Sequence, residues 1–310
     1  MKTAWGELEV NDAHIHFFSR NFFSLLARQK PGLTLESIGE KLGWEMPPAD
    51  PVELARRWVE EFDGHGVSRG VLIASLPGDE DSVAEAVRAF PDRFWGYFFC
   101  NPVGADGVER AEAALGNGLQ GICLFPAMHR YSLHDERVQP VFELASATPG
   151  TVVFVHCGVL TVGVRDKLGL PSLFDLRFSN PIDLHAIALR YPRARFVVPH
   201  FGAGYFREAL MVCSLCPNVY LDTSSTNRWT RYQAGRLDLR MVFEKALEVA
   251  GPRRLLFGTD SSFFPRGWNE EIFQTQANLL AVLGLKADEA GAVLGGNLAR
   301  LLERQAEAAG

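Results

Sequence analysis

Residues 10–18 read VNDAHIHFF, a mostly apolar stretch that holds two of the eight histidines in the chain. Residues two positions apart in a β-strand point to the same face, so Asp12, His14 and His16 would lie side by side on one strand. Apolar neighbours such as Ile15 favour a strand that runs into a hydrophobic core over a polar surface turn. The stretch therefore predicts a buried strand whose two imidazoles are candidate metal ligands, to be tested against the rest of the chain.

The composition narrows the class of protein. The 310 residues fit two average domains or one large α/β barrel. The formal net charge of −6 disfavours nucleic-acid binding, which depends on Lys and Arg contacts to phosphates. No apolar run approaches the roughly 18–20 residues that cross a bilayer, and the first residues, MKTAWGELEV, carry no export signal. An odd number of cysteines, five, predicts reduced thiols and a cytoplasmic location.

Eight short stretches rich in apolar and β-branched residues recur along the chain. Most are continuous apolar runs, as expected of parallel strands that are buried on both faces. Helical stretches separate them, so we predict a (β/α)8 TIM barrel formed by a single domain over residues 1–310. A doubly wound open sheet is disfavoured because no GxGxxG motif follows the first strand. The predicted strands are 8–15, 68–75, 93–100, 119–125, 151–157, 194–200, 218–224 and 253–260.

Start and stop signals define the predicted helices. Asp50 followed by Pro51 predicts a capped helix that ends at Gly64. The long stretch 17–49 interrupts the alternation after the first strand, and we expect it to form a lid or a dimer contact at the barrel mouth. The other predicted helices are 79–90, 106–116, 135–147, 182–190, 203–213, 237–249, 269–283 and 298–307.

Polar residues stand at the ends of several predicted strands. The fifth strand ends in His156, the sixth in His200 and the eighth in Asp260. The carboxyl ends of the strands form the active-site face of such barrels. Imidazole and carboxylate are the nitrogen and oxygen ligands that zinc prefers, so these residues and the two histidines of the first strand predict one metal site. Taken singly, each of the three also fits a structural role, as a core histidine or a helix cap.

These motifs resemble those of the amidohydrolase superfamily, most closely the branch that includes aminocarboxymuconate-semialdehyde decarboxylase. The matching segments are DAHIH, VHCG, PHFGAG, FGTD and LGGNLARLL, in that order along nearly the whole chain. The resemblance implies a barrel that binds one divalent ion, usually zinc. It also implies that His14, His16, His156 and Asp260 are the ligands and that His200 is a catalytic group beside the ion.

The predicted fourth strand departs from the superfamily pattern. Members with two metal ions bridge them with a carbamylated lysine on this strand, whereas this chain reads GICLFP with Cys123 at the corresponding position. A thiol cannot form that carbamate, so we expect a single ion. We expect Cys123 to pack in the core rather than to bind the metal.

The expected chemistry begins with a metal-activated water and a small substrate that carries a carboxylate. Asp260 would take a proton from that water, and His200 would polarise a carbonyl or stabilise an oxyanion. Two reactions fit: hydrolysis of an ester, lactone or amide, and decarboxylation of an unsaturated or aromatic carboxylate. A barrel that binds metal without turnover is a third alternative. His129 and His134, in the loop after the fourth strand, are weaker candidates for the site. The loop residues expected to bind the substrate are Arg165, Arg228, Trp229, Arg231 and Arg266.

Overall fold

The barrel wall consists of eight parallel strands that follow one another around the sheet in chain order. The computed structural model describes residues 1–224 and 228–303. Each strand lies within its predicted stretch, except that the first continues one residue further, to His16. A short antiparallel pair, Lys2–Thr3 with Gly6–Glu7, precedes the barrel. The barrel strands are β1 (Asn11–His16), β2 (Arg69–Ala74), β3 (Phe94–Cys100), β4 (Gly121–Leu124), β5 (Val152–Val155), β6 (Arg195–Val198), β7 (Val219–Asp222) and β8 (Leu255–Leu256).

The ring closes where β1 meets the residues that follow β8. Ile15 and Ser261 form a parallel bridge. The amide of His16 donates to the carbonyl of Ser261 at 2.8 Å, and the amide of Asp260 donates to the carbonyl of His14 at 2.9 Å. This closure, with helices between successive strands, confirms the prediction of a (β/α)8 TIM barrel.

Helices alternate with the strands and cover the outside of the barrel. None of the helices in residues 1–224 and 228–303 is long and apolar enough to cross a membrane. The α-helices are Arg20–Ala27, Leu35–Leu42, Pro51–His65, Glu80–Ala89, Gly107–Gly116, Pro126–His129, Gln139–Ala147, Gly163–Leu168, Leu184–Arg190, Phe206–Leu215, Leu239–Ala250, Glu270–Val282, Ala287–Gly291 and Asn297–Leu302. Short 3-10 turns are Glu136–Val138, Leu176–Phe178, Pro181–Asp183, Pro199–Gly202, Arg228–Tyr232 and Pro252–Arg254, and Ala292–Gly296 is a π-helix.

Several helix bounds differ by a few residues from the prediction; the helix predicted at 203–213, for example, is Phe206–Leu215. Asp50 caps the helix Pro51–His65 by accepting from the amide of Val52 at 2.8 Å. This helix runs past Gly64 and ends at Gly66, because Gly66 adopts the left-handed conformation (φ 74°) that terminates helices. The last helix ends at Leu302, and residues 304–307 of its predicted span lie outside the described residues.

β1 contains a bulge. Its register against β2 shifts by one residue between Asp12 and Ile15. The carboxylate of Asp12 is buried and accepts from the amide of Thr259 at 3.0 Å and from the indole of Trp268 at 2.8 Å. Asp12 therefore binds the chain that follows β8 and does not join the group of residues that could hold a metal ion.

The stretch 17–49 crosses the barrel mouth. It contains the helices Arg20–Ala27 and Leu35–Leu42, which contact each other, and the second packs against the helix Gly163–Leu168 that follows β5. In an eight-stranded barrel the fifth strand lies opposite the first, so this stretch reaches from one side of the rim to the other. Its role as a lid or a dimer contact stays a prediction. The residues buried in this contact are Phe22, Phe23, Leu26, Leu33, Ile38, Leu42, Val164, Leu168 and Leu170.

Asp79 anchors the start of this stretch to the loop after β2. One carboxylate oxygen accepts from the hydroxyls of Ser19 and Ser82, each at 2.7 Å, and from the amide group of Asn21 at 3.0 Å. Ser19 in turn caps the helix Arg20–Ala27 by accepting from the amide of Phe22. Burial raises the pKa of Asp79 to about 6. One buried acceptor thus serves three donors, two of them in the stretch 17–49.

We expect Asp79→Ala to leave the buried hydroxyls of Ser19 and Ser82 without their acceptor. The loss should lower the free energy of unfolding by about 1–3 kcal/mol. Hydrogen exchange should speed up in residues 19–42 before it does so in the barrel strands. Asp63→Ala, which removes an exposed partner of Arg93, is the control and should cost less than about 1 kcal/mol. Equal stability losses in the two variants would contradict the anchoring role.

Candidate metal and active site

The five polar residues predicted at the strand ends come together in one pocket. This pocket has a volume of about 690 Å³ and lies at the carboxyl ends of the barrel strands. Parallel strands bring their ends to the same rim, which explains why residues far apart in the sequence meet. The five residues are His14, His16, His156, His200 and Asp260.

Three of these residues form a compact group. Single ligand atoms of His14, His16 and Asp260 all lie within 4.8 Å of one another. Nε2 of His16 is 3.3 Å, and Nε2 of His14 is 3.7 Å, from the same carboxylate oxygen of Asp260. The other two rings lie next to this group but outside it: His200 is 5.0 Å from His14 and 5.4 Å from His156 between ring centroids.

Hydrogen bonds fix which nitrogen of each grouped imidazole carries the proton. Nδ1 of His14 is 2.8 Å from a carboxylate oxygen of Asp222, which only accepts. Nδ1 of His16 is 2.6 Å from the hydroxyl of Ser75, and that hydroxyl donates its proton to the carbonyl of Ile73. Both Nδ1 atoms therefore donate, and both Nε2 atoms keep a lone pair for a metal ion.

The remaining two histidines differ in their partners. Nδ1 of His200 lies 3.1 Å from the carbonyl of Ser224 and therefore donates, which leaves its Nε2 as the acceptor. His156 is buried and stacks on Phe125, with 5.2 Å between ring centroids. Its Nδ1 has no hydrogen-bond partner within residues 1–224 and 228–303. A core histidine satisfied by a neighbour would have one, so this observation favours a ligand role.

The electrostatics of the group suit a cation. Burial raises the pKa of Asp260, but hydrogen bonding to His16 and the charges of the nearby rings outweigh it, so the pKa lies well below its usual range. Burial lowers the pKa of His156 and of His200. Burial also lowers the pKa of His16, so the group offers an ionised carboxylate and a neutral imidazole, the protonation states that bind divalent ions, whereas a metal ion at His14 must compete with a proton.

The backbone is strained at two of the site residues. His200 (φ 54°) and Asp260 (φ 59°) adopt the left-handed conformation that residues with a Cβ rarely take. The loop that begins at His200 continues in this conformation through Phe201, and it packs tightly against Gly158. A Cβ at Gly158 would lie 2.3 Å from the carbonyl oxygen of Ala203, so only glycine fits there.

A family profile described as amidohydrolase matches residues 12–304, nearly the whole described chain. The chain belongs to this amidohydrolase family. The match confirms the superfamily predicted from the motifs and supports a hydrolase or a related enzyme. The decarboxylase branch within it is a finer assignment that this match does not test.

Proteins similar to this chain are found by comparison of sequence and of structure. Over 144 residues the chain is 37% identical to Protein fluG of Emericella nidulans. The matched segment covers 45% of this chain and 15% of that protein. An uncharacterized TIM-barrel protein from Bordetella bronchiseptica superposes with a TM-score of 0.65 at 20% identity, over 95% of this chain and 98% of that one.

Two further solved structures carry bound groups. An amidohydrolase from Burkholderia multivorans with bound zinc has a TM-score of 0.61 at 19% identity, over 95% of this chain and 99% of that one. A probable 2-pyrone-4,6-dicarboxylic acid hydrolase from Acinetobacter baumannii with bound citric acid has a TM-score of 0.59 at 14% identity, with the same coverage. At these identities the likeness concerns the fold.

Sequence reasoning missed three residues whose side chains lie within hydrogen-bond distance of the site histidines. Asp222 and Ser224 lie at the end of β7, and Ser75 follows β2. All three are buried and contact imidazole nitrogens. A signal was present, because each is a polar residue at the carboxyl end of a correctly predicted strand. These residues contact the histidines rather than a metal ion or a substrate, so ligand chemistry alone does not single them out.

The predicted substrate-binding arginines take different positions. Arg228 and Arg231 line the pocket from the turn Arg228–Tyr232, and the buried Trp229 lines it between them. Arg165 also lines the pocket, while its guanidinium donates to Gln29 and to a carbonyl.

Arg266 contributes differently. It donates to the carbonyl of Asp260 at 3.3 Å and to the hydroxyl of Ser262 at 3.1 Å, and it is not among the described residues that line the pocket. These contacts indicate that Arg266 stabilises the loop that carries Asp260. Lys167, which sequence reasoning missed, does line the pocket.

The weaker candidates lie away from the pocket. Neither His129 nor His134 is among the described residues that line it, and burial lowers the pKa of His129 to about 4. Cys123 is fully buried in the barrel interior, where burial raises the pKa of its thiol well above the usual value. Its position agrees with the expected packing role, since a buried neutral thiol is a poor metal ligand.

We expect purified protein to hold about one divalent ion per chain, bound by the group at His14, His16 and Asp260. His16→Ala should remove the metal and lower the melting temperature, because a ligand that binds only the folded state stabilises it. Elemental analysis and calorimetry measure both effects. His134→Ala, at an exposed position outside the pocket, should keep metal and stability. A reproducible content near two ions would contradict the single-ion site.

We also expect metal binding to weaken as the pH falls. Burial lowers the pKa of His14, but the carboxylates of Asp222 and Asp260 outweigh it, so the net pKa lies above the ordinary 6.5. Below that pKa a metal ion must displace a proton, which costs about tenfold in apparent affinity per pH unit for each proton released. Chelator competition between about pH 5 and 8 measures the slope. Constant affinity across this range would contradict the prediction.

Proposed function

We propose that the protein is a metal-dependent hydrolase that acts on a small ester, lactone or amide bearing a carboxylate. The observation that carries the proposal is the group of His14, His16 and Asp260, whose ligand atoms lie within 4.8 Å of one another in a 690 Å³ pocket. Both histidines are held by Nδ1, so their Nε2 lone pairs are available to an ion. This arrangement fits a mononuclear site.

The donor set fits zinc, the ion that we propose as the cofactor. Neutral imidazoles and one carboxylate are its usual ligands in catalytic sites. His156 would supply a further ligand, since it is buried in the same pocket with an unpartnered Nδ1. A bound divalent ion supplies Lewis-acid chemistry and makes a nucleophile available at neutral pH.

Asp260 and His200 are the groups proposed to move protons. The low pKa of Asp260 keeps its carboxylate ionised, which is the state that a proton acceptor for the attacking water requires, and it also makes the carboxylate a weak base. The neutral ring of His200 donates through Nδ1 to Ser224, so its Nε2 must accept a proton before it can donate one. Only the protonated ring can therefore stabilise an oxyanion or protonate a leaving group.

The charge of the pocket favours an anionic substrate. The chain has a net charge of −6, yet Asp260 is the one acidic residue among the described residues that line the pocket. Four cationic side chains line it as well. Guanidinium groups can hold a carboxylate through two parallel hydrogen bonds. The cationic residues are Arg165, Lys167, Arg228 and Arg231.

Another part of the pocket wall is aromatic. Phe18 stacks on His16 at 5.5 Å, on Phe22 at 4.3 Å and on Trp44 at 5.7 Å between ring centroids. Three of these residues belong to the stretch 17–49, so we propose that this stretch covers a bound substrate. A cyclic ester with carboxylates suits such a pocket, and the Acinetobacter baumannii relative is described as a hydrolase of that kind of compound.

A decarboxylase at the same site is the second candidate. The observation that favours it is the resemblance of the segments DAHIH, VHCG, PHFGAG, FGTD and LGGNLARLL, taken together, to the branch that includes aminocarboxymuconate-semialdehyde decarboxylase. The two reactions leave different products: hydrolysis yields a new acid and no gas, whereas decarboxylation releases carbon dioxide. A screen of lactones, esters and unsaturated carboxylates with both readouts decides between them. No turnover in a metal-loaded protein would favour a binding role.

The test residue for the proposed mechanism is His200. We expect His200→Asn to keep metal content and stability near wild type while turnover falls by roughly 10²–10⁴, the usual contribution of a positioned acid–base group. His156→Asn is the matched control and should lose metal and activity together. If His200→Asn keeps full activity on a substrate that wild type turns over, the assigned role is wrong.

A further inference from the structure

Two of three consecutive residues at the end of β7 contact site histidines, and the third contacts a helix outside the barrel. Asp222 and Ser224 contact the histidines, and Thr223, between them, contacts the helix Glu270–Val282. The hydroxyl of Thr223 donates to the side-chain oxygen of Gln276 at 2.6 Å, and the amide group of Gln276 donates back to the carbonyl of Thr223 at 2.9 Å. This buried pair fixes the strand end from outside the barrel.

The hydroxyl of Ser224 contacts both rings. Its oxygen lies 3.0 Å from Nδ1 of His14 and 3.0 Å from Nδ1 of His200. Ser224 is fully buried, and its amide donates to Asp222 at 2.6 Å. A single side chain thus stands between a grouped metal ligand and the ring proposed to transfer protons.

The partners of the two rings determine what this hydroxyl does. Nδ1 of His14 faces the carboxylate of Asp222, and Nδ1 of His200 faces the carbonyl of Ser224, so both nitrogens carry protons. A hydroxyl oxygen has two lone pairs and can accept from both N–H groups. The carboxylate of Asp222 accepts from Nδ1 of His14, and the carbonyl of Ser224 accepts from Nδ1 of His200. The hydroxyl is the contact that the two rings share.

We propose that Ser224 is a positioning residue that fixes the ring of His200 relative to the metal ligand His14. The carbonyl of Ser224 sets the Nδ1–H form of His200, and the shared hydroxyl fixes the orientation of that ring beside His14. The role rests on the proposed function for its catalytic consequence, whereas the ring geometry itself does not depend on any substrate.

The site leaves little room for another arrangement. A Cβ at Gly258 would lie 3.0 Å from the Cβ of Ser224, 3.0 Å from the Cβ of His14 and 3.0 Å from a carboxylate oxygen of Asp222. Because the site is this tightly packed, a test variant should add no volume. Ser224→Ala meets this requirement, since it removes only the hydroxyl. Ser75→Ala is the matched contrast, because Ser75 is also buried but contacts only His16 among the site histidines.

The experiment uses zinc-loaded protein labelled with ¹⁵N in the histidine rings. Nitrogen chemical shifts report which ring nitrogen carries the proton, and His200→Asn identifies the His200 signals. In wild type we expect His200 in the Nδ1–H form. In Ser224→Ala the main-chain carbonyl remains, so we expect the Nδ1–H form to persist while the His200 ring signals shift and broaden, because the ring has lost one of its two Nδ1 contacts; zinc content should be unchanged. In Ser75→Ala the His200 signals should match wild type while those of His16 shift.

Unchanged His200 signals in Ser224→Ala would overturn the proposal, as would equal changes in both serine variants, which would indicate general loosening. Kinetics add a second readout. On a substrate that wild type hydrolyses, Ser224→Ala should lower kcat about 10–100-fold with KM within about twofold. Loss of zinc in this variant would also overturn the role. If wild type hydrolyses nothing in the screen, the proposed function fails while the ring signals still test Ser224.

Discussion

Hydrogen bonds between β1 and residues 257–261 hold together both the barrel and the group of His14, His16 and Asp260. The amide of Ala13 donates to the carbonyl of Phe257 at 2.8 Å, and the amide of Asp260 donates to the carbonyl of His14 at 2.9 Å. Asp260 therefore cannot move away from the histidines unless the ring opens. Because these three residues meet where the ring closes, fold stability and site geometry depend on the same bonds.

The parts of the site that sequence reasoning found depend only on strand position. His14 and His16 share a strand, and His156, His200 and Asp260 follow β5, β6 and β8. Parallel strands in a barrel end at one rim, so polar residues at the strand ends that face the barrel mouth reach the same pocket. Locating the strands was therefore enough to bring five residues together.

The residues that sequence reasoning missed matter because of contacts between particular atoms on different strands. Asp222, Ser224 and Ser75 matter because their oxygens lie within 3.0 Å of particular ring nitrogens. Aspartate and serine are common at strand ends, so their identity alone carries little information. Arg266 shows the same limit, since its loop position suggested substrate binding while its contacts are with Asp260 and Ser262. The bulge in β1 likewise has no signature in the apolar pattern.

The backbone at His200 and Asp260 separates what folding needs from what the chemistry needs. Both residues have φ near +55 to +60°, a conformation that costs residues with a Cβ about 1–3 kcal/mol each. The amide of Ala203, which donates to the carbonyl of His200 at 2.9 Å, and the bond from Asp260 to His14 hold them there. Stability alone would favour glycine or asparagine at such positions. An imidazole and a carboxylate at these strained positions are best explained by what their side chains bind.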